Sequence, residues 1–403
     1  KFSYQFTYAN LIIRAAAIVL VLVIANKWEN PANKLSWTFL ILLSPILGIM
    51  LYFLFGRSGL TKHTREQMDA VNREVDAAPV RVHPGMPQQQ HRIAFVGAGS
   101  YAQGNLLPNL PSDLQRVMVM TNSGTTSKRV AERFHFEFCA AQETDIFENP
   151  QINTVFIATR HDSHAKYALE ALRHNQSVFV EKPLALNETE LSQIMTALES
   201  SSGRLMVGFN RRFAPLTEKL KAALPKVPVS MLYRVNAGAI PADHWIQDGK
   251  IGGGRMVGEG CHFIDFMTCI CGALPVQISA IAVPDAAGLA DTVTVNIAFA
   301  DGSVGVLCYY ANGCGDLPKE YFEVHGAGFS AVLNDFRELT VYGRKKMHFK
   351  SHQDKGQKNM LNAFFAALSA GRNCIDPAVL ARVTRSTFAV AESLRERKNI
   401  FLE

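Results

Sequence analysis

The sequence predicts an α/β protein. A doubly wound parallel sheet is followed by an α+β domain with an open, largely antiparallel sheet, and an N-terminal two-helix membrane hairpin precedes both. Three observations carry this reading. Charges are sparse and apolar runs long before about residue 56, a short apolar run at Arg92–Val96 leads into GAGSYA, and after Pro215 short strand patterns alternate with turns such as Ala300-Asp301-Gly302. A chain of 403 residues asks for two or three units at roughly 150 residues each. Its 48% hydrophobic and 19% charged residues suit packed domains and exclude a disordered chain. The net charge of +6 forms no long basic tract, so nucleic acid is not indicated as a partner. Seven cysteines scattered from Cys139 to Cys374 give no disulfide framework and fit a reducing compartment.

The hairpin comes first. Leu11–Asn26 is apolar apart from Arg14, and Trp37–Phe55 runs 19 residues without a charge, near the ~20 needed to cross ~30 Å of hydrocarbon. The turn between them, containing Asn30 and Pro31, returns the chain to its starting side, and Arg57, Lys62 and Arg65 place that side in the cytoplasm. Residues 11–55 are therefore expected to contact the lipid bilayer of the cell membrane, with the remaining domains facing the cytoplasm. A signal peptide or a buried helical pair is the alternative, but no A-x-A-like cleavage site follows the first run. In NPANKLSW and SPILGIMLYFLFGR this stretch resembles the N-terminal hairpin of cardiolipin synthases and related phospholipase D-like proteins. Those enzymes use two H-x-K-x4-D motifs. The nearest approach here, His348, Lys350 and Asp354, is one residue short and occurs once, so phospholipid chemistry is not expected. Residues 1–58 are read as the hairpin and 59–91, with a short helix near Thr64–Ala77 and then APVRVHPGMPQQQ, as a linker.

Residues 92–213 form the next unit. In GAGSYA, Gly97 permits a tight turn, Gly99 lets a pyrophosphate approach the backbone, and the small Ala102 lets the following helix pack on the strand, which is the dinucleotide-binding pattern of a Rossmann-type sheet. A purely structural turn is the alternative. Arg116–Met120 reads as the second strand, and Thr121, Asn122 and Ser123 stand where an acid would hold the ribose hydroxyls of NAD. Ser123, Thr125, Ser127, Lys128 and Arg129 suit a 2′-phosphate, so the cofactor is NADP or NAD with NADP favoured. Thr154–Ala158 and Ser177–Val180 are further buried strands ending in TRHDSHA and EKPLAL. Ligands bind outside the carboxyl ends of such strands, so Thr159, Arg160, His161, His164, Glu181 and Lys182 are expected to converge near the cofactor.

Residues 214–403 form the last unit. Val229–Val235, Gln277–Val283, Thr292–Phe299 and Ser303–Tyr309 read as strands, and Asn359–Ala370 and Pro377–Arg395 as closing helices. Between them Gly252-Gly253-Gly254 leads into a helix carrying Glu259, His262 and Asp265 on one face, a spacing that suits a proton relay. A packing histidine bonded to Asp265 is the structural alternative. Asp243, His244, Trp245 and Gln247 place an aromatic ring among hydrogen-bonding groups, as a sugar site needs. Cys269-x-Cys271 has no second pair, so no metal site is expected.

Taken in order, GAGSYA, IATRHDSHA, VFVEKPLAL, VGFNRRFAP and GGGRMVGEGCHFID make residues 92 to 403 resemble the glucose-fructose oxidoreductase and inositol dehydrogenase (Gfo/Idh/MocA) family, in particular the C-terminal half of bi-domain oxidoreductases. The resemblance implies an NAD(P)-dependent oxidoreductase acting on CH–OH groups of a sugar, nucleotide sugar or polyol, assembled as a homo-oligomer through the open sheet. It implies cofactor contacts from Gly97, Gly99, Ser100, Tyr101, Ala102, Asn122, Ser123, Lys128, Thr159, Arg160, His164, Glu181, Lys182 and Arg211. Substrate contacts are expected from His244, Trp245 and His262. In that family a histidine at the position of His262 takes the hydroxyl proton, assisted by an Asp four residues earlier. Here that position is Gly258, so either Glu259 compensates or Lys182 and His262 work alone. A non-catalytic membrane-anchored sensor that binds a dinucleotide or sugar is the second reading.

Overall fold

The computed structural model describes Arg14 and residues 16–21, 38–52, 62–83, 90–284 and 288–403. The chain divides into two units, Lys1–Val71 and Asn72–Glu403.

In the first unit, residues 38–43 and Pro45–Leu51 are helical with a bend at Ser44, one residue before the proline that cannot donate to the preceding turn. Ala17, Ile41 and Tyr52 form a small buried cluster flanked by Leu20, Val21 and Ile49. The surroundings are apolar as well: Ile18, Phe39, Leu43 and Ile46 are all more than half exposed. Much of both expected spans, with the turn between them, lies outside the described residues. Among the described residues no helix is long and apolar enough to cross a membrane.

The second unit holds two sheets. The first contains β1 (Val80–Arg81), β2 (Arg92–Val96), β3 (Gln115–Met120), β4 (Phe138–Cys139), β5 (Thr154–Ile157), β6 (Ser177–Val180) and β7 (Leu205–Val207), in the order β1-β4-β3-β2-β5-β6-β7. From β2 to β7 every pairing is parallel, and the order reverses between β3 and β5 on either side of β2, which opens a crevice at the carboxyl end of β2. The sheet is mixed rather than wholly parallel, because β1 pairs antiparallel with β4. That strand lies in the segment read as a linker. A helix at Lys62–Ala77 precedes it, and its last turns carry the buried Val75, against which a Cβ at Gly124 would stand only 2.7 Å away. The prolines and glutamines of the segment masked two strand residues too short to show an alternating pattern.

Register lines up aromatic side chains across the parallel sheet. Phe95, Phe156 and Phe179 are paired across β2, β5 and β6, and their rings stack at 4.6 and 4.9 Å. Phe364 meets both Phe156 and Phe179 edge-on, tying the C-terminal helix Gln357–Ser369 to this face. Each such ring pair adds about 0.5–1.5 kcal/mol beyond the apolar area it buries.

The second sheet has β8 (Ser230–Asn236), β9 (Pro275–Ala282), β10 (Val293–Phe299), β11 (Val304–Tyr310), β12 (Glu320–Gly326), β13 (Phe329–Asn334), β14 (Glu338–Tyr342), β15 (Met347–Lys350) and β16 (Ile400–Phe401). Their order is β15-β14-β13-β12-β8-β11-β10-β9-β16, antiparallel throughout except between β8 and β11. It is open and largely antiparallel, as expected. Alternation fixes its faces: Val293, Val295, Ile297 and Phe299 of β10 point to the buried side. On the other side Ile281 of β9 and Phe401 of β16 are 74% and 72% exposed.

Candidate active site

The cofactor end is built by the turn after β2. Gly97 has φ +82°, and a Cβ there would meet the Ala158 carbonyl at 2.6 Å, so only glycine lets this turn lie against the end of β5. At Gly99 a Cβ would meet nothing within 4 Å. Ser100 and Tyr101 start the helical segment, which continues through Ala102–Leu106 with Ala102 buried. The backbone is thus bare where a pyrophosphate needs close approach.

At the end of β3 the polar residues largely satisfy one another. Ser123 caps the helix Gly124–Phe134, its Oγ accepting from the Thr126 amide, while Ser127 Oγ accepts from the Thr121 amide. The Thr125 amide donates to Oδ1 of Asn72, 2.9 Å away on the helix preceding β1. Asn122 is exposed and Lys128 half-buried. Of the groups read as suiting a 2′-phosphate, Ser123, Ser127 and the Thr125 amide are engaged within the protein, while Lys128 is half-buried and Arg129 exposed; Asn72 lies in no motif.

A cavity of about 550 Å³ opens where the ends of β5 and β6 face the second sheet. Of the residues expected at the site it gathers Tyr101, Thr159, His164, Glu181, Lys182, Arg211, Trp245, Glu259 and His262. Arg160 and His244 are outside its lining. Arg160 is exposed with its guanidinium 5.7 Å from the Trp245 ring, and His244 Nδ1 accepts from the Ile246 amide. His161, Asn210, Arg255, Lys319 and Lys355 also line the cavity. Of these, His161 was legible at the end of β5, whereas Lys319 and Lys355 sit in no motif.

Lys182, at the end of β6, donates from Nζ to the Gly258 carbonyl at 2.8 Å, which fixes the cation across the cavity. His262 is buried, and its Nδ1 finds no partner in the protein. Burial first, then the cations Arg211, Lys182, Lys319 and Lys355, keep its pKa well below the ordinary value, so the imidazole is neutral. Glu181 is buried too, with Oε1 unpartnered, and burial lifts its pKa to about 7. Both residues line the cavity, and their orphaned polar atoms, with the bare turn at Gly99, fit a bound dinucleotide and substrate.

The expected relay through Glu259, His262 and Asp265 is not formed. Asp265 makes a bidentate ion pair with Arg212, whose Nε lies 3.0 Å from Oδ2, and this also overturns a packing bond from His262 to Asp265. Glu259 Oε1 takes Lys319 Nζ at 2.6 Å and Oε2 takes the Tyr309 hydroxyl at 2.5 Å. Burial opposes its charge, yet Lys319 and these hydrogen bonds hold its pKa down to about 2. Spacing on one helix face did not reveal these long-range partners. Arg211 is similarly engaged, with Nε and Nη2 on the two oxygens of Glu320 at 2.7 and 2.8 Å.

Gly258 has a physical reason. A Cβ there would stand 2.8 Å from Cε1 of His161, so the imidazole fills the space a side chain would need. His161 Nδ1 bonds the Gly252 carbonyl at 2.8 Å, and its ring meets Trp245 edge-on at 4.8 Å. Burial, then Lys182, lowers its pKa to about 3, which makes it neutral. His164 packs against the same strand ends, with Nδ1 2.8 Å from the Pro183 carbonyl and Nε2 3.2 Å from that of Thr159; burial lowers its pKa to about 4, and the neutral ring donates to one of the two.

A Rossmann sheet with a glycine turn, joined to an open antiparallel sheet that closes a cavity over Lys182 and His262, defines a two-domain dinucleotide-dependent dehydrogenase. Residues 91–209 match the model of the oxidoreductase family with an NAD-binding Rossmann fold, and 227–332 match the Gfo/Idh/MocA C-terminal domain. The chain belongs to the Gfo/Idh/MocA family of oxidoreductases. Residues 15–57 match the phospholipase D-nuclease N-terminal segment. Over 268 residues it is 27% identical to the trans-1,2-dihydrobenzene-1,2-diol dehydrogenase of Mus musculus, covering 63% of this chain and 79% of that protein. It is 25% identical over 254 residues to the inositol 2-dehydrogenase of Rhizobium meliloti, covering 58% of this chain and 76% of that one. A levoglucosan dehydrogenase solved with NADH and levoglucosan shares the fold, with a TM-score of 0.68 at 21% identity over 77% of this chain and 99% of the other.

Proposed function

We propose that this chain is a membrane-tethered, NAD-dependent dehydrogenase of sugar-type or polyol hydroxyls, in which His262 exchanges the hydroxyl proton and Lys182, held on Gly258, orients the same oxygen. The observation that carries this reading is the neutral, buried His262 with an unpartnered Nδ1 in a cavity facing Lys182. Alcohol oxidation needs a base at the hydroxyl, and an unprotonated imidazole with a free nitrogen is one. The nicotinamide, when bound, supplies the hydride acceptor. The solved relative with levoglucosan and the inositol and diol dehydrogenases support this substrate class. NAD is preferred to NADP because Asn72 already holds the Thr125 amide. Exposed Ile281 and Phe401 on the open sheet support a homo-oligomer.

Tethering rests on the apolar side chains that the first unit turns outward and on its match to the phospholipase D-nuclease N-terminal segment. Deleting residues 1–58 is expected to release the protein from membranes; full-length protein recovered in the detergent-free soluble fraction refutes the tether. Lys182→Ala and His262→Ala are each expected to reduce turnover about 10²- to 10⁴-fold with NAD affinity nearly intact, the share acid–base groups commonly supply. Glu259→Gln tests whether that carboxylate does more than hold Lys319. Protein that binds NAD yet transfers no hydride to any sugar, polyol or nucleotide sugar is instead the sensor, a reading favoured only by Gly258 at the position where the family has an Asp, with the His161 ring filling the space beside it.

A further inference from the structure

Five cations line the cavity: Lys182, Arg211, Arg255, Lys319 and Lys355. Only two carboxylates line it, Glu181 and Glu259, and burial raises the pKa of the first. Behind the wall Glu320 takes both Arg211 and Lys355, the latter at 2.6 Å. Counting Glu181, Glu259 and Glu320 as fully charged leaves a surplus of two positive charges, and one survives if Asp335, 3.8 Å from Lys355 Nζ, is added. Lys319 and Lys355 both reach solvent, with side chains 41% and 18% exposed, while each also pairs at 2.6 Å with Glu259 or Glu320.

This surplus bears on the chemistry of the proposed dehydrogenase. Every charged group named as acting on His262 is a cation, and hydride transfer removes the positive charge of the oxidised nicotinamide as the proton arrives on His262, so the positive surplus of the site persists through the reaction. A neutral sugar leaves that surplus unpaired. We infer that the substrate is an anionic sugar, one whose carboxylate or phosphate lies against Lys319 and Lys355 while the reacting hydroxyl faces Lys182 and His262. The negative group offsets the standing surplus of cations around the reacting hydroxyl. This rests on the dehydrogenase reading of the same cavity and narrows its substrate.

Full-length protein in detergent, saturated with NAD, is assayed against glucose and myo-inositol, and against glucuronate and glucose 6-phosphate. The expected result is a kcat/KM at least about 100-fold higher for one of the anionic sugars, falling as salt is raised. Whichever anion leads identifies carboxylate or phosphate as its source. Lys319→Met should cut the ratio of anionic to neutral kcat/KM about tenfold, and Lys319→Arg should restore most of it. Neutral sugars turned over as well as the anionic ones overturn this inference and leave the dehydrogenase standing. If no sugar turns over, calorimetric titration of NADH-loaded protein still decides. Glucuronate or glucose 6-phosphate binding at least tenfold more tightly than glucose supports the charge complementarity, and equal binding overturns it.

Discussion

Gly258→Ala tests the packing of the site with a single methyl group. Gly258 lies in the helical segment Met256–Gly260, where alanine is ordinarily preferred to glycine by about 1 kcal/mol. With open space at the position the substitution would stabilise the protein. The structure predicts the opposite sign, because the new Cβ would stand 2.8 Å from Cε1 and 3.3 Å from Nδ1 of His161. That ring cannot swing away freely, being bonded to the Gly252 carbonyl and seated against Trp245. Overpacking costs about 1–3 kcal/mol and the lost hydrogen bond about 0.5–1.5, so the net after the helix gain of about 1 is a destabilisation of about 0.5–3.5 kcal/mol. Thermal unfolding should show a Tm lower by about 1–5 °C. His161→Ala in the same chain empties the space, so the double variant should recover more than half of the loss, a coupling expected only of residues in contact. The Gly258 carbonyl holds Lys182, so turnover should fall as well. A Tm raised by Gly258→Ala, or additive effects of the two substitutions, would refute the reasoning.

Gly99→Val puts a branched side chain into the open space above the turn, and titration by nucleotide fluorescence is expected to show NAD binding lost with the fold intact; unchanged affinity means the turn is merely structural. Asn72→Ala frees the Thr125 amide at the start of its helix, so the kcat/KM ratio of NADP to NAD should rise about five- to tenfold, and a fixed ratio assigns Asn72 no part in cofactor choice. Glu181, raised from 4.5 to about 7, holds a proton in the folded chain that the unfolded chain has lost, so its contribution to stability disappears as pH rises from about 4.5 through 7. Glu181→Gln should flatten that slope in urea unfolding measured at pH 5 and pH 8, and an unaltered slope would count against a buried carboxyl at this position.

What the sequence disclosed was what local chemistry controls. Gly97 is required by backbone geometry at its turn, Gly99 and Ala102 belong to the same short motif, and Lys182 and His164 follow directly from strand ends, so a motif read in order finds them. Strands β8 to β11 announced themselves by alternation, whereas β12 to β15, interrupted by Tyr321, His325 and His348 on half-wet faces, did not. The relay failed for a different reason. Helical spacing puts Glu259, His262 and Asp265 near one another, but ion pairing chose Lys319 and Arg212 from elsewhere in the chain, 60 and 53 residues away. A buried carboxylate is governed by whichever cation the tertiary fold brings to it, because an unpaired charge there costs several kcal/mol. The same long-range pairing decides the electrostatics of the cavity. Lys182 and Arg211 come from the first sheet's loops, Lys319 and Lys355 flank strands of the second, and no segment of sequence holds enough of them to show a basic patch. A net charge spread over the chain thus says nothing about this site, and the potential at His262 is a property of the closed fold.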